Sequence, residues 1–263
     1  MSYHLNASAT DALLGAEEGL AAKKKTSSEK KPLIQQILSW ILSIVGWSPI
    51  FLILFIPNIR IGITASAGAA LFSFCLTGVY YMVGGTKSWP KVTDIAFISI
   101  FGVMAIVAWC LPSQEAVRNM VAFMDLIIFG GFSSVMTISW VCFKFPIARQ
   151  FVIDYVSTEE MTHPSTQYFI KTVTLMYIIG FIIMAGFGAA RGALFVTDNL
   201  TGTLNIVLQV IMYSILVSMM VLAPVWNDYL DGEKGYKMIV RKFPDEVAAW
   251  NAAHPDHEWA QEV

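Results

Sequence analysis

Three polar side chains within long apolar stretches are of the types that bind ions or solutes inside a membrane. Asp125 is the one charged residue between Asn119 and Phe143, and Asn205 and Gln209 lie in the last apolar stretch. An ionisable group at such depth is energetically expensive, tends to face the protein interior and often marks an ion or proton path. These residues are therefore candidates for a substrate or ion pathway, although the two amides also suit ordinary hydrogen bonds between helices.

Three arginines offer a structural explanation of Asp125. Arg60, Arg118 and Arg191 lie at or near the ends of apolar stretches, and a guanidinium binds a carboxylate bidentately. Counted from Asn119, Asp125 lies about 9 Å into its stretch, within reach of Arg60 or Arg191. A structural ion pair is the preferred interpretation, and a transport or ligand-binding function is the alternative.

Residues for catalysis, haem binding or metal binding are not found in the apolar stretches. The four histidines are His4, His163, His254 and His257, and all lie outside them, so haem held between helices by two histidines is excluded. The sequence has no GxSxG motif and no Cys/His spacing typical of metal sites. We expect no enzyme activity, no cofactor and no metal. The three cysteines, one in each of three spans, are interpreted as small core residues: Cys75, Cys110 and Cys142.

The composition identifies the class of protein. Of 263 residues, 56% are hydrophobic and only 14% are charged, whereas a soluble domain carries about 25% charged residues. This indicates a polytopic membrane protein. The net charge of −2 lacks the basic excess typical of nucleic-acid binding.

The predicted fold is all-α, a bundle of about six transmembrane helices, because a crossing needs roughly 20 apolar residues and backbone groups in lipid must be satisfied internally. The predicted spans are about 32–57, 61–84, 95–112, 119–143, 170–190 and 203–226. The first of these stretches is interrupted by Pro49. It reads either as one kinked crossing or as an interfacial helix followed by a re-entrant segment.

Basic residues decide between these alternatives, because cytoplasmic loops hold most Lys and Arg. If the first stretch crosses, 14 basic residues lie on one side and Arg60, Arg118 and Arg191 on the other; if it does not, the division is 9 against 8. We therefore predict six crossings with both termini in the cytosol.

Segments outside the spans are assigned to the cytosol or the membrane surface. Residues 1–31 read as a disordered cytosolic segment, and 228–263 as an acidic cytosolic tail that docks on the membrane domain or binds a partner. Apolar residues between Ile147 and Val156 predict an amphipathic helix on the membrane surface. Ser157 and Glu160 have the spacing of a capping box, and His163-Pro164 that of a helix entry.

Small residues four apart predict close helix packing. One set is Gly62, Ser66 and Ala70, and the other is Gly188 and Gly192. Packing within the chain is the preferred use, and a homodimer interface is the alternative.

Three further features can be compared with known families: the apolar segment Pro49–Phe55 before a span rich in small residues, the Lys144–Arg149 sequence KFPIAR, and Pro164 with Tyr168 before the next span. Together they resemble the intracellular septation protein A family of small multi-pass inner-membrane proteins. The resemblance covers roughly residues 49–190. It implies a helical membrane protein tied to cell-envelope synthesis or division, without an established enzymatic activity.

The sequence thus favours a non-enzymatic multi-pass protein that is a structural or scaffolding component of a membrane assembly. Its expected partners are the lipid bilayer, other membrane proteins or a second copy of the chain, and not nucleic acid. The alternative is a small-solute or ion transporter or channel that uses Asp125.

Overall fold

The computed structural model describes residues 48–255 and six residues before them, Ile37, Leu38, Ile41, Leu42, Val45 and Gly46. The N-terminal segment 1–31 with its lysines, and ten of the 26 residues of the first predicted span (32–57), lie outside the described residues. Five described helices are long and apolar enough to cross a membrane: α2 (Ile59–Met82), α3 (Val92–Cys110), α5 (Met124–Phe143), α7 (Pro164–Val196) and α8 (Gly202–Asp231). For the described residues the all-helical fold is thereby confirmed, and the five apolar helices are compatible with a membrane protein; the sixth crossing stays a prediction.

Shorter helices flank these five. They are α1 (Ser48–Phe55), α4 (Gln114–Ala122), α6 (Arg149–Val152), α9 (Glu233–Lys242) and α10 (Pro244–Ala253), with a 3₁₀ turn at Glu160–Thr162. At eight residues, α1 rises only about 12 Å. By itself it is too short to cross the roughly 30 Å hydrocarbon layer.

The long helices pack mainly against their neighbours in the chain. α2 contacts α3, α3 contacts α5, α5 contacts α7, and α7 contacts α8. Their shared core includes Ile63, Phe101 and Met184, which are fully or almost fully buried. α7 lies deepest in this array, while α8, at its edge, leaves most of its apolar surface exposed.

Local signals begin and end these helices. The side chains of Asn58, Ser113, His163 and Thr201 each accept a hydrogen bond from a backbone N–H in the first turn of α2, α4, α7 and α8, respectively. These bonds satisfy donors that have no partner within the helix. At the other end of α5, Lys144 adopts a left-handed conformation with φ 55°, which ends the helix.

The helix predicted over 119–143 is interrupted. α4 ends at Ala122, Phe123 lies between the two helices with φ −94° and ψ 15°, and α5 begins at Met124. Asp125 therefore lies in the first turn of the spanning helix rather than two turns inside it.

The predicted amphipathic helix between Ile147 and Val156 is wrong. Only Arg149–Val152 is α-helical, and two of the three polar residues assigned to its water-facing side, Gln150 and Asp154, instead bond to other parts of the protein. Gln150 is 2% exposed and its Oε1 accepts from Val92 N at 2.7 Å. Tyr155, assigned to the apolar face, is 83% exposed.

Asp154 ties this loop to the segment between α2 and α3. Its carboxylate accepts hydrogen bonds from the Thr86 hydroxyl at 2.8 and 2.9 Å and from Lys87 N at 2.6 Å. It also pairs with Lys91 Nζ at 3.0 Å. These contacts were not predicted, because Asp154 was assigned to the water-facing side of the amphipathic helix expected between Ile147 and Val156.

The described part of the tail docks on the membrane domain. The imidazole of His163, fully buried at the entry of α7, packs edge-on against Trp250 of α10 at 4.6 Å and stacks with Tyr236 of α9 at 6.2 Å. Trp250 Nε1 donates to the Thr162 hydroxyl at 3.0 Å. α8 itself continues to Asp231, beyond the predicted start of the tail.

The cysteine prediction is wrong, because Cys75, Cys110 and Cys142 are all exposed on the surface of the array.

Both sets of small residues pack within the chain. Ser66 and Ala70 are buried, and a Cβ on Gly62 would lie 3.5 Å from the Cα of Ile53 in α1. These faces are thus occupied and unavailable to a second copy.

The two ends of the array differ in the number of basic residues. The Lys91–Asp154 pair and the Trp250–Thr162 hydrogen bond bring together the α2–α3 loop, the segment after α5 and the tail. Among the described residues this end holds nine basic residues: Lys87, Lys91, Lys144, Arg149, Lys171, Lys234, Lys237, Arg241 and Lys242. The opposite end holds Arg60, Arg118 and Arg191.

Candidate functional site

Asp125, Arg191 and Asn205 meet at the end of the array that has few basic residues. Arg191 Nη1 of α7 donates to Asp125 Oδ2 of α5. Its Nε donates to Asn205 Oδ1 of α8 at 2.6 Å. One guanidinium thereby links three helices.

Two glycines allow this contact. A Cβ on Gly188 would lie 2.6 Å from Leu126 N and 2.7 Å from Asp125 Cβ, and one on Gly192 would lie 2.5 Å from the Phe123 ring. α7 therefore approaches the backbone where α4 gives way to α5. Arg191, between the two glycines, is thereby brought against Asp125.

The pair is largely withdrawn from solvent. The Asp125 side chain is 10% exposed and that of Arg191 is 23% exposed. Opposite charges in this environment neutralise each other, and removing either one leaves the other without its counter-ion. The arrangement is a closed, charge-neutral connection between helices.

The other predicted arginines lie at the same end but contact different groups. Arg60 Nη2 donates to Leu111 O at 2.7 Å, and its guanidinium lies 5.8 Å from the Trp109 ring. The Arg118 guanidinium lies 5.0 Å from the Phe195 ring. Arg60 thus ties α2 to the end of α3, and Arg118 ties α4 to α7.

Gln209 follows Asn205 by about one turn of α8 and is half-buried. It belongs to the same helix as Asn205, but the contact with Arg191 is made by Asn205. The structure thus brings together Asp125, Arg191 and Asn205 and leaves Arg60 and Arg118 in separate contacts.

Within the described residues, no group of three or more His, Cys, Asp or Glu side chains is arranged to hold a metal ion.

The sequence matches no protein-family model, no curated protein and no solved structure. The resemblance to the septation protein A family over residues 49–190 therefore stays a prediction.

Proposed function

We propose that this chain is a non-enzymatic multi-pass membrane protein that serves as a structural component of a membrane assembly. The link through Asp125, Arg191 and Asn205 supports this function, because it uses the candidate pathway residues to hold α5, α7 and α8 together. An ion pathway needs polar groups that can exchange partners with a passing solute. Here both charges and one amide oxygen are engaged with one another.

We also propose that the end rich in basic residues faces the cytosol. The nine-to-three division of described basic residues follows the tendency of cytoplasmic loops to hold Lys and Arg. The five N-terminal lysines join that side if the segment before α2 makes a sixth crossing. Both termini are then cytosolic.

Flux measurements separate this function from transport by Asp125. The full chain is reconstituted into liposomes that contain a pH-sensitive dye, under K⁺ or Na⁺ gradients. We expect wild type and Asp125→Asn to show no flux above protein-free vesicles, and Asp125→Asn to melt at a lower temperature because Arg191 loses its counter-ion.

Asp198→Asn is the matched control, since Asp198 is exposed at the same end and its φ of 54° is one that Asn tolerates. This variant should melt like wild type. Flux through wild type that is lost in folded Asp125→Asn, but kept in Asp198→Asn, would establish the transporter instead.

Two truncations test membership in an assembly. A chain ending at Pro255 keeps the Trp250–His163 contact, whereas a chain ending at Phe243 loses it. We expect the first to melt like wild type but to lose its partner, because it lacks three of the five acidic residues that follow Pro244. The second should lose both stability and partner.

Native mass spectrometry after gentle detergent extraction from the source membrane reads the outcome. A stoichiometric foreign subunit on wild type supports the proposal. A wild-type chain without a foreign subunit contradicts the proposal as a whole. A chain ending at Pro255 that retains every partner contradicts the assignment of partner binding to the acidic tail.

A further inference from the structure

α9 has one face fixed to the protein and one face exposed. Ile239 is fully buried and Gly235 is buried. A Cβ on Gly235 would lie 2.1 Å from Tyr229 O in the last turns of α8. α9 is therefore pressed against the end of α8, and its orientation follows from that contact.

The exposed face of α9 is basic. Lys234, Lys237 and Arg241 are spaced by three and four residues, so they lie on one side of the helix. These three residues line an open groove of about 620 Å³ together with Tyr229, Met238 and Lys242. None of the six lining residues is acidic. Lys237 also pairs with Glu233, but this pair is highly exposed and such pairs contribute little.

The groove lies at the level expected for lipid headgroups. α8 has 30 residues and is about 45 Å long, longer than the roughly 30 Å hydrocarbon layer. Near its end Trp226 stacks with Tyr229 at 5.3 Å, and such aromatic residues are enriched at membrane interfaces. α9 begins two residues after α8 ends.

We propose that this groove binds the headgroup of an anionic phospholipid of the surrounding bilayer. Arg241 provides a planar fork suited to the phosphodiester, and Lys234 and Lys237 add positive charge. Lys242 is held over the Tyr168 ring at 4.2 Å. Met238 and the exposed ring of Tyr229 contact the less polar part of the lipid. Four basic residues immediately after a spanning helix are typical of recognition of anionic lipids.

The test measures lipid retained by the purified full chain in mild detergent. Dioleoylphosphatidylglycerol and dioleoylphosphatidylcholine are each titrated and counted by native mass spectrometry. The test variant is Lys234→Gln/Lys237→Gln/Arg241→Gln. The matched control, Lys144→Gln/Arg149→Gln/Lys171→Gln, removes the same charge from exposed residues at the same end.

Wild type and the control should prefer the anionic lipid, and the α9 variant should bind it on the order of 100-fold more weakly, about fivefold for each charge removed. Its melting temperature should not change, since the three side chains are exposed. Equal losses in the two triple variants, or equal binding of the two lipids by wild type, would overturn the proposal. So would displacement of the anionic lipid by an equal concentration of inorganic phosphate, which indicates a site for the free anion.

Discussion

Arg191 is held from two sides, by the carboxylate of Asp125 and by the amide oxygen of Asn205. The sequence offered Arg60 and Arg191 equally as partners of Asp125, because both lie near span ends on the same side. The choice depends on which helix lies beside α5, and that is a consequence of packing at Gly188 and Gly192. Asn205, predicted as a pathway residue, accepts a hydrogen bond from this arginine.

The two charges of this pair should differ in what their removal does to stability. Arg191→Gln leaves the more buried group, Asp125, without a counter-ion. Asp125→Asn leaves an arginine that is more exposed and still bound to Asn205. We expect the first substitution to lower the free energy of unfolding more than the second. Neither loss should exceed about 3–5 kcal/mol, the range typical of a broken buried pair.

Denaturant titration of the purified chain measures both effects and their coupling. The double variant Asp125→Asn/Arg191→Gln should be more stable than the sum of the single losses predicts, because neither charge is then left alone. Strictly additive losses would show that the pair makes no joint contribution.

At the scale of the elements, sequence signals that act within a few residues predicted the structure well. The capping box is confirmed: Glu160 Oε2 accepts from Ser157 N at 2.7 Å and Ser157 Oγ accepts from Glu160 N at 3.1 Å. The helix entry at His163-Pro164 is confirmed as well. The helix predicted over 147–156 failed because Gln150 and Asp154 bond to the α2–α3 segment, and such tertiary contacts leave no pattern in the local sequence.

The approach of α7 to α5 is predicted to require glycine. In Gly188→Ala the new Cβ would lie 2.6 Å from a backbone nitrogen, so the helices must move apart. Overpacking of this kind costs about 1–3 kcal/mol. Gly186→Ala is the control on the same helix, since its Cβ would have nothing within 4 Å; it should be neutral or slightly stabilising because alanine favours helix.

Thermal unfolding of the two variants side by side checks this prediction. A lower melting temperature for Gly188→Ala alone supports the close contact. Equal melting temperatures would mean that α7 does not press on α5 at this point.

For the whole molecule, composition and apolar stretches predicted the class and the five long helices, because burial in lipid imposes length and hydropathy directly on the sequence. The spans 61–84 and 95–112 agree with α2 and α3 to within three residues at each end. By contrast, the predicted span 170–190 was shorter than α7 at both ends, because Lys171 and Arg191 interrupt the uncharged stretch while the helix continues from Pro164 to Val196. The sixth crossing depends on residues outside those described and rests on the distribution of basic residues.

Accessibility of single cysteines tests that crossing. In a background with Cys75, Cys110 and Cys142 replaced by alanine, one cysteine is placed at Ser27, Thr158 or Asn199, and intact cells are treated with a membrane-impermeant maleimide. Six crossings predict labelling at 199 alone, because 27 and 158 then share the cytosolic side with the nine basic residues. Labelling at both 27 and 199 would mean five crossings and an external N-terminus. Permeabilised cells provide the control, since all three positions should then react.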